Sequence, residues 1–357
     1  MALPGNVAGV TGGCDQRRGV AADMTATLGV VLVNWRGAAD TLECLESLAH
    51  ATIPLRVIVV DNASGDGSLE RIAAWARGEE LAIPRSPEMA RFSTPPTSKP
   101  VTWQQCEPGE TGDNGAWLTL IDSGSNLGFA GGNNVGLRFV LADPAIRYVW
   151  LLNNDTVVEP GAPAALLTAL EAAAAPGMCG TVVRYYHRPG TLQALNGSTF
   201  NAWTGTSAGI AFGQPAATLF DAADVARKTD FVLGASLAVT RAFVETVGEM
   251  EESYFLYCEE IDWAWRNNGQ FEVIFAAGAI VYHKEGGSIG SSGQKGMRSD
   301  LSEYYLLRSK LQLISRHRPW LLPVHWGVAA SQIALRLWRR QPAKALVMTR
   351  ALLGLKT

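Results

Sequence analysis

The chain has 357 residues, 47% of them hydrophobic, enough for a large core organised as one large or two smaller domains. Its net charge of −3 and pI of about 6.0 exclude the global basic signature of a nucleic-acid binder, so no nucleic-acid partner is expected. Five cysteines, odd in number and without a CxxC pair, argue against a disulfide or zinc framework and for reduced thiols in a cytoplasmic protein.

Residues 1–27 are rich in Gly and Ala and lack the basic start and apolar core of a signal peptide; they read as a disordered tail or a start-site extension. No run of 18 apolar residues occurs, so no spanning helix is expected. Leu28 to Val33 is a β-branched run suited to a central parallel strand, followed by Asn34 and Trp35. Asp40 then caps a helix carrying Leu42, Leu45 and Leu48. A second buried strand, Val57 to Val60, ends in Asp61, Asn62 and Ser64 before the next helix. This β-α-β-α rhythm predicts an α/β fold with a doubly wound, mostly parallel, Rossmann-like sheet. Asp61 either binds a ribose, a base or a cation, or caps its loop. Polar residues ending several strands at one edge favour the ligand.

Residues 78–115 break the rhythm with six prolines and little periodicity, and read as a surface insertion, partly disordered. Trp117 to Ile121 resumes the sheet. Asn126 to Gly136, with Gly131 and Asn133, opens a helix whose free amides suit phosphate or carbonyl oxygens, though its spacing is not G-x-G-x-x-G. The apolar run Val149 to Leu152 ends in Asn153, Asn154 and Asp155. One carboxylate flanked by amides suits a divalent cation that also holds a phosphate; an Asx turn is the alternative.

The region from Thr181 to Arg227 has short strand-like pieces and turns. Asp230 to Thr240 reads as a strand, with Gly234 and Ala235 small enough for close ligand approach. Glu259, Glu260 and Asp262 crowd the start of a helix beside aromatics. They either favour the helix dipole or raise one carboxyl towards the range of a general base. Phe271 to Phe275 and Ala279 to His283 read as two short strands. His283, followed by a Gly-Gly-Ser stretch, is either a satisfied structural residue or a metal or phosphate ligand on a mobile loop. From residue 301 to 357 Glu303 is the sole acidic residue, while Arg and Lys alternate with Leu and Trp. Basic amphipathic helices of this kind suit an anionic membrane surface; packing on the domain or a partner interface is the alternative.

Together the stretches around Asn34-Trp35, Asp61-Asn62-Ala-Ser64, Asn126 to Asn133, Asn153-Asn154-Asp155, Glu259-Glu260-Ile-Asp262-Trp263 and His283 resemble the family 2 glycosyltransferases of the GT-A fold, particularly the bacterial rhamnosyltransferase-like branch. The resemblance runs from about Leu28 to the C-terminus, except for 78–115, with a glycosyltransferase domain at 28–300 and a helical region at 301–357. It implies an inverting transfer from a nucleotide sugar, with dTDP-rhamnose as the family-based donor and UDP- and GDP-sugars open. Asp155 matches the last Asp of the family's D-x-D motif and, with His283, would hold Mg²⁺ or Mn²⁺; Asn153 replaces the first acid. Asn34, Asp61 and Asn126 match nucleotide contacts, and Asn62, Ser64, Gly131, Asn133, Asn153 and Asn154 fall in the same motifs. Glu260 aligns with the base, with Asp262 as its rival; Gly234, Ala235, Glu259 and Trp263 would face the acceptor. The acceptor would be a lipid-linked or polysaccharide glycan in cell-envelope assembly, at the inner face of the plasma membrane. A catalytically inactive nucleotide-sugar-binding scaffold and a galactofuranosyl-like UDP-sugar transferase are the alternatives. A nucleotidylyltransferase lacks its basic Gly-rich signature here, and an NAD-dependent oxidoreductase lacks its glycine fingerprint.

Overall fold

A computed structural model describes residues 26–110, 115–285 and 299–355. Expectations for residues 1–25 and for Gly286 to Ser288 lie outside the described residues. The first half runs β1 (Leu28–Asn34), α1 (Ala38–Ala49), β2 (Arg56–Asp61), α2 (Ser68–Arg77), α3 (Pro87–Ala90), β3 (Trp103–Cys106), β4 (Leu118–Asp122), α4 (Gly128–Leu141) and β5 (Tyr148–Asn153). These strands pair in parallel in the order β3-β4-β2-β1-β5. Successive side chains of a strand point to opposite faces, and both faces are covered here. Val30, Leu32, Val57 and Val59 pack with Leu42, Leu45, Ile72 and Trp75 of α1 and α2. Val31, Ile58 and Val60 pack with Leu137 and Val140 of α4.

The second half continues with β6 (Thr156–Val158), α5 (Ala162–Ala172), β7 (Pro176–Tyr185), β8 (Arg188–Leu195), β9 (Gly197–Asn201), β10 (Thr206–Gly209), α6 (Ala222–Lys228), β11 (Phe231–Val232), β12 (Ser236–Thr240), α7 (Arg241–Val247), α8 (Glu259–Asn267) and β13 (Glu272–His283). The ten-stranded sheet extends past β5 as β12-β7-β13-β6, with β8 also on β7. Here β12, β6 and β8 run antiparallel to their neighbours. A small sheet, β10-β9-β11, stands apart. The strand expected over Asp230 to Thr240 is broken at Leu233–Ala235. The two strands expected at Phe271 to Phe275 and Ala279 to His283 are one, with a register shift between Ala276 and Ile280.

The stretch 78–115 is more than a surface insertion: its β3 forms the edge of the main sheet beside β4. Met89 and Phe92 are buried against Tyr186 and Tyr282. The Lys99 ammonium lies 3.2 Å from the Trp75 ring centroid, and Glu46 accepts from Trp75 Nε1 (2.8 Å). Apolar anchors hidden among prolines have no periodicity, which is why the sequence pattern misses them.

The chain closes with α9 (Asp300–His317), α10 (Leu322–Trp338) and α11 (Pro342–Leu353). They share a core of Tyr304, Leu307, Leu311, Ala329, Met348 and Ala351.

Helix α4 lies close on the sheet because Gly136 faces it. A β-carbon there would stand 2.4 Å from Val31 Cγ1 and 3.2 Å from Val60 Cγ2. Helix propensity alone favours Ala over Gly by about 1 kcal/mol, whereas forcing volume into a packed core costs about 1–3 kcal/mol. Gly136→Ala is expected to lower stability in urea or thermal denaturation; a more stable variant would contradict this close approach.

Candidate active site

Parallel pairing brings the carboxyl ends of β1, β2 and β5 to one edge. Asn34 lies beside Asp61, and Val33 beside Asn153. Polar groups at this depth must be paired, and they pair with one another. Asn34 Nδ2 donates to Asp61 Oδ2 (3.1 Å) and Ser64 Oγ (3.2 Å). Its Oδ1 accepts from Thr41 Oγ1 (2.8 Å) and Asn154 Nδ2 (3.3 Å). The Ser64 amide donates to Asp61 Oδ1 (2.7 Å). Burial lifts the Asp61 carboxyl above its ordinary range despite these donors. Asn34, Asp61 and Ser64 are buried beside the cleft without lining it, and their side chains hydrogen-bond one another. Their neighbours Trp35 and Asn62 do line it.

The turn before α4 is tied to β2 by amides. Asn62 Oδ1 accepts from the Leu127 amide (3.0 Å), and Asn62 Nδ2 donates to Gly128 O (3.0 Å) and Asn126 Oδ1 (3.2 Å). Gly128 has φ of +72°, and a β-carbon there would meet Phe255 O at 2.4 Å, so only glycine fits. Asn126 and Asn133 line the cleft. Gly131 does not; it packs against Leu127, the residue just before the helix.

Beyond β5 the chain turns sharply, and Asp155 meets His283 at the end of β13. Asp155 Oδ1 lies 3.1 Å from His283 Nε2, and Asn153 Nδ2 lies 3.3 Å from the same nitrogen. Gln193 Oε1, from β8, stands 2.8 Å from His283 Nδ1. An amide oxygen there holds the proton on Nδ1 and leaves Nε2 directed at Asp155. Burial opposes the charge on His283, but the Asp155 carboxylate outweighs it and raises the imidazole's pKa. Burial likewise opposes ionised Asp155, and His283 outweighs it and lowers the carboxyl's.

A carboxylate oxygen and an imidazole nitrogen side by side are donors that fit a divalent cation such as Mg²⁺ or Mn²⁺. Among the described residues, no three His, Cys, Asp or Glu side chains are grouped to hold a metal on their own. A cation here needs further oxygens from solvent or a bound ligand.

The second group is built by the break between β11 and β12 and the tight turn into α8. Tyr257 and Cys258 both have positive φ, 67° and 73°, which swings Glu259 and Glu260 into the helix's first turn. The Gly234 amide donates to Glu260, and a β-carbon at Gly234 would lie 2.6 Å from Glu260 Oε1. Burial pushes half-buried Glu260 up to about 7. Glu259 is fully buried; burial and then Glu260's charge push it well above the carboxylate range, and its Oε2 has no hydrogen-bond partner. Gly234, Ala235, Glu259 and Glu260 all line the cleft.

Asp262 and Trp263 do not. Asp262 is completely buried and saturated by Arg266 Nε (2.7 Å), His317 Nε2 (2.7 Å) and the Tyr254 hydroxyl (3.3 Å). It clamps α8 to α9, facing away from the cleft that Glu260 lines. Trp263, expected near an acceptor, is a core residue edge-on to Phe243, with its Nε1 donating to Gly248 O (2.8 Å).

The cleft holds about 560 Å³ and brings Asn153, Asn154, Asp155, His283, Glu259 and Glu260 together. Sequence reasoning missed Gln193 and Ser207 from the antiparallel half, and Leu301, Tyr305 and Leu306 from α9. The α9 residues sit at helical spacing in a stretch whose basic charge drew attention outwards. Gln193 carries no local signal at all.

No family model matches the chain. Over 183 residues it is 26% identical to the low-salt glycan biosynthesis hexosyltransferase Agl10 of Haloferax volcanii, a match covering 44% of this chain. The match spans 51%, about half, of that curated relative's length. The fold is similar to a crystal structure of GalNAc-T7 with UDP, GalNAc and Mn²⁺, with a TM-score of 0.51 and 12% identity over 82% of this chain and 48% of that one. The mannosyltransferase PcManGT from Pyrobaculum calidifontis, in complex with GDP-Man and Mn²⁺, aligns with a TM-score of 0.49 and 15% identity over 95% of this chain and 90% of that one. At such identities the likeness is one of architecture: the chain has the α/β fold of GT-A glycosyltransferase structures, with its helical region at the C-terminus.

Proposed function

We propose that this protein is a divalent-cation-dependent, inverting glycosyltransferase that moves a sugar from a nucleotide donor to an acceptor hydroxyl. The observation that carries this reading is one cleft lined both by the Asp155–His283 pair and by Glu260, a carboxylate tuned to about 7. The hexosyltransferase relative supports it, as do the UDP, GalNAc and Mn²⁺ named for the GalNAc-T7 structure.

In this mechanism Asp155 and His283 would hold the cation that the donor diphosphate requires. When bound, the cation neutralises the charge that grows on the departing diphosphate, so that leaving group needs no protein acid. Glu260 takes the acceptor's proton as its oxygen attacks the anomeric carbon in line. The Gly234 N–H fixes the orientation of that carboxylate. Glu259 stays neutral beside it, sparing the site a second buried charge. Trp35, with Asn62 and Asn126, offers a wall for the nucleoside. The donor we favour is dTDP-rhamnose, with UDP- and GDP-sugars as the competing classes, and the acceptor a lipid-linked or polysaccharide glycan of the cell envelope.

Titration calorimetry with dTDP, UDP and GDP, in Mn²⁺ and in EDTA, tests the cation site. One nucleotide should bind only with Mn²⁺, and Asp155→Ala should lose that binding. Failure of all three nucleotides to bind sinks the proposal.

Glu260→Gln should retain the nucleotide but turn over about 10²–10⁴-fold more slowly. Asp262→Asn should instead cost stability, by about 3–5 kcal/mol for a broken buried ion network. The opposite pattern would return the base role to Asp262.

A base must be ionised, and Glu260 has its pKa raised to about 7. Turnover should therefore rise as pH increases through about 7 and level off above it. A flat profile between pH 5.5 and 8.5, roughly the window a base near 7 must titrate in, would remove Glu260 from that role.

A further inference from the structure

Helix α10 lies on the molecule with almost no cover. Of its residues Leu322–Trp338 only His325 and Ala329 are buried. Taking 100° per residue, the inward line runs through His325, Ala329, Ile333 and Arg336. Arg336 turns under the helix to pair with Glu303 Oε1 (2.6 Å). The exposed residues of the helix carry no charge: Val324, Trp326, Ala330, Leu335, Leu337 and Trp338 stand out, with Gly327, Ser331, Gln332 and Ala334 between them. Trp326 is 57% and Trp338 79% exposed, and Trp320, just before the helix, is 64% exposed. Exposed cations border this face at both ends, Arg318 before it and Arg339 and Arg340 after it, with Arg350 exposed on α11. No acidic residue follows Glu303 in the chain.

An uncharged apolar helix face of this size is abnormal on a protein left in water. Tryptophans at its ends with a cationic rim are complementary to the interface of an anionic bilayer, where indole rings settle at headgroup level. No described helix is long and apolar enough to cross a membrane. We infer that the outward face of α10 docks onto an anionic lipid surface, buried to the depth of its tryptophans, with Arg318, Arg339 and Arg340 at the headgroups.

The same geometry links docking to the cleft. Helix α9 gives Tyr304, Leu307 and Leu311 to the core it shares with α10 and α11. It gives Leu301, Tyr305 and Leu306 to the cleft. Two helices, α10 and α9, each about 10 Å across, lie between the docked face and the site. Resting on the transferase reading above, this deepens it: the acceptor carries an apolar anchor and enters from the bilayer past Leu301, Tyr305 and Leu306.

Flotation of the full chain with phosphatidylglycerol-containing vesicles, against pure phosphatidylcholine vesicles, tests docking without any sugar substrate. The protein should float with the anionic vesicles, and salt should release it. Arg339→Glu with Arg340→Glu should reduce partitioning by more than about thirtyfold, since each cation lost also becomes an anion. Trp326→Ala with Trp338→Ala should weaken it comparably, while both double variants keep the wild-type melting temperature and nucleotide binding. Absence from anionic vesicles overturns the inference. So does a concentration-dependent dimer in sedimentation that the tryptophan variant abolishes, because a second copy would then cover the face. Nucleotide binding that persists while flotation fails leaves the transferase reading standing, and the reverse result leaves docking standing without it.

Discussion

Much of the structure depends on how one sheet edge satisfies its buried polar groups. Parallel strands align their carboxyl ends, and β1, β2 and β5 each end in a side chain that cannot be left unpaired. Asn34 is the hub: its amide reaches Asp61 and Ser64, and its carbonyl collects Thr41 and Asn154. This closes the loops after β1, β2 and β5 into one rigid floor. Asn153 and Asp155, next along the chain, are thereby held facing the cleft instead of relaxing into an ordinary turn.

The antiparallel half serves this floor by closing the cleft. Strand β12 returns alongside β5 so that Ala235 O accepts from the Asn153 amide (3.0 Å), which sets the segment carrying Gly234 against the loop of Asp155. Strand β13 crosses to pair with β6 and delivers His283 opposite Thr156. Lys284, the next residue, is buried between Asp40 (2.7 Å) and Glu43 (2.6 Å) of α1. A buried lysine is tolerated when it is paired in this way, and here it pins the end of β13 across the sheet.

Much of this was legible in the sequence. The β-branched runs, the Asn-Asn-Asp turn, the glycine-rich helix start and the paired glutamates are local patterns with local causes, and each falls on the expected element. What stayed hidden were long-range choices. The spacing of Asp262 and Arg266 allows their pairing on one helix, but nothing near them announces that His317 of α9 will take the other carboxylate oxygen. Sequence marks Asn34 and Asp61 as polar residues at strand ends without saying that they hydrogen-bond each other. The edge strand β3 and the cleft-facing side of α9 come from stretches whose composition, proline-rich in one case and basic in the other, signalled surface.

Gln193 has a consequence that reaches past its own strand. It comes from β8, an antiparallel addition to the sheet, and touches His283 through the nitrogen that faces away from Asp155. A neutral amide acceptor draws that proton less strongly than a carboxylate would, so the imidazole remains a moderate electron donor. The electronic character of the site is thus written partly on a strand that supplies no donor atom to it. Under the proposed cation-dependent reading, exchanging that one amide on β8 would change how strongly His283 donates while Asp155 and His283 themselves stayed the same.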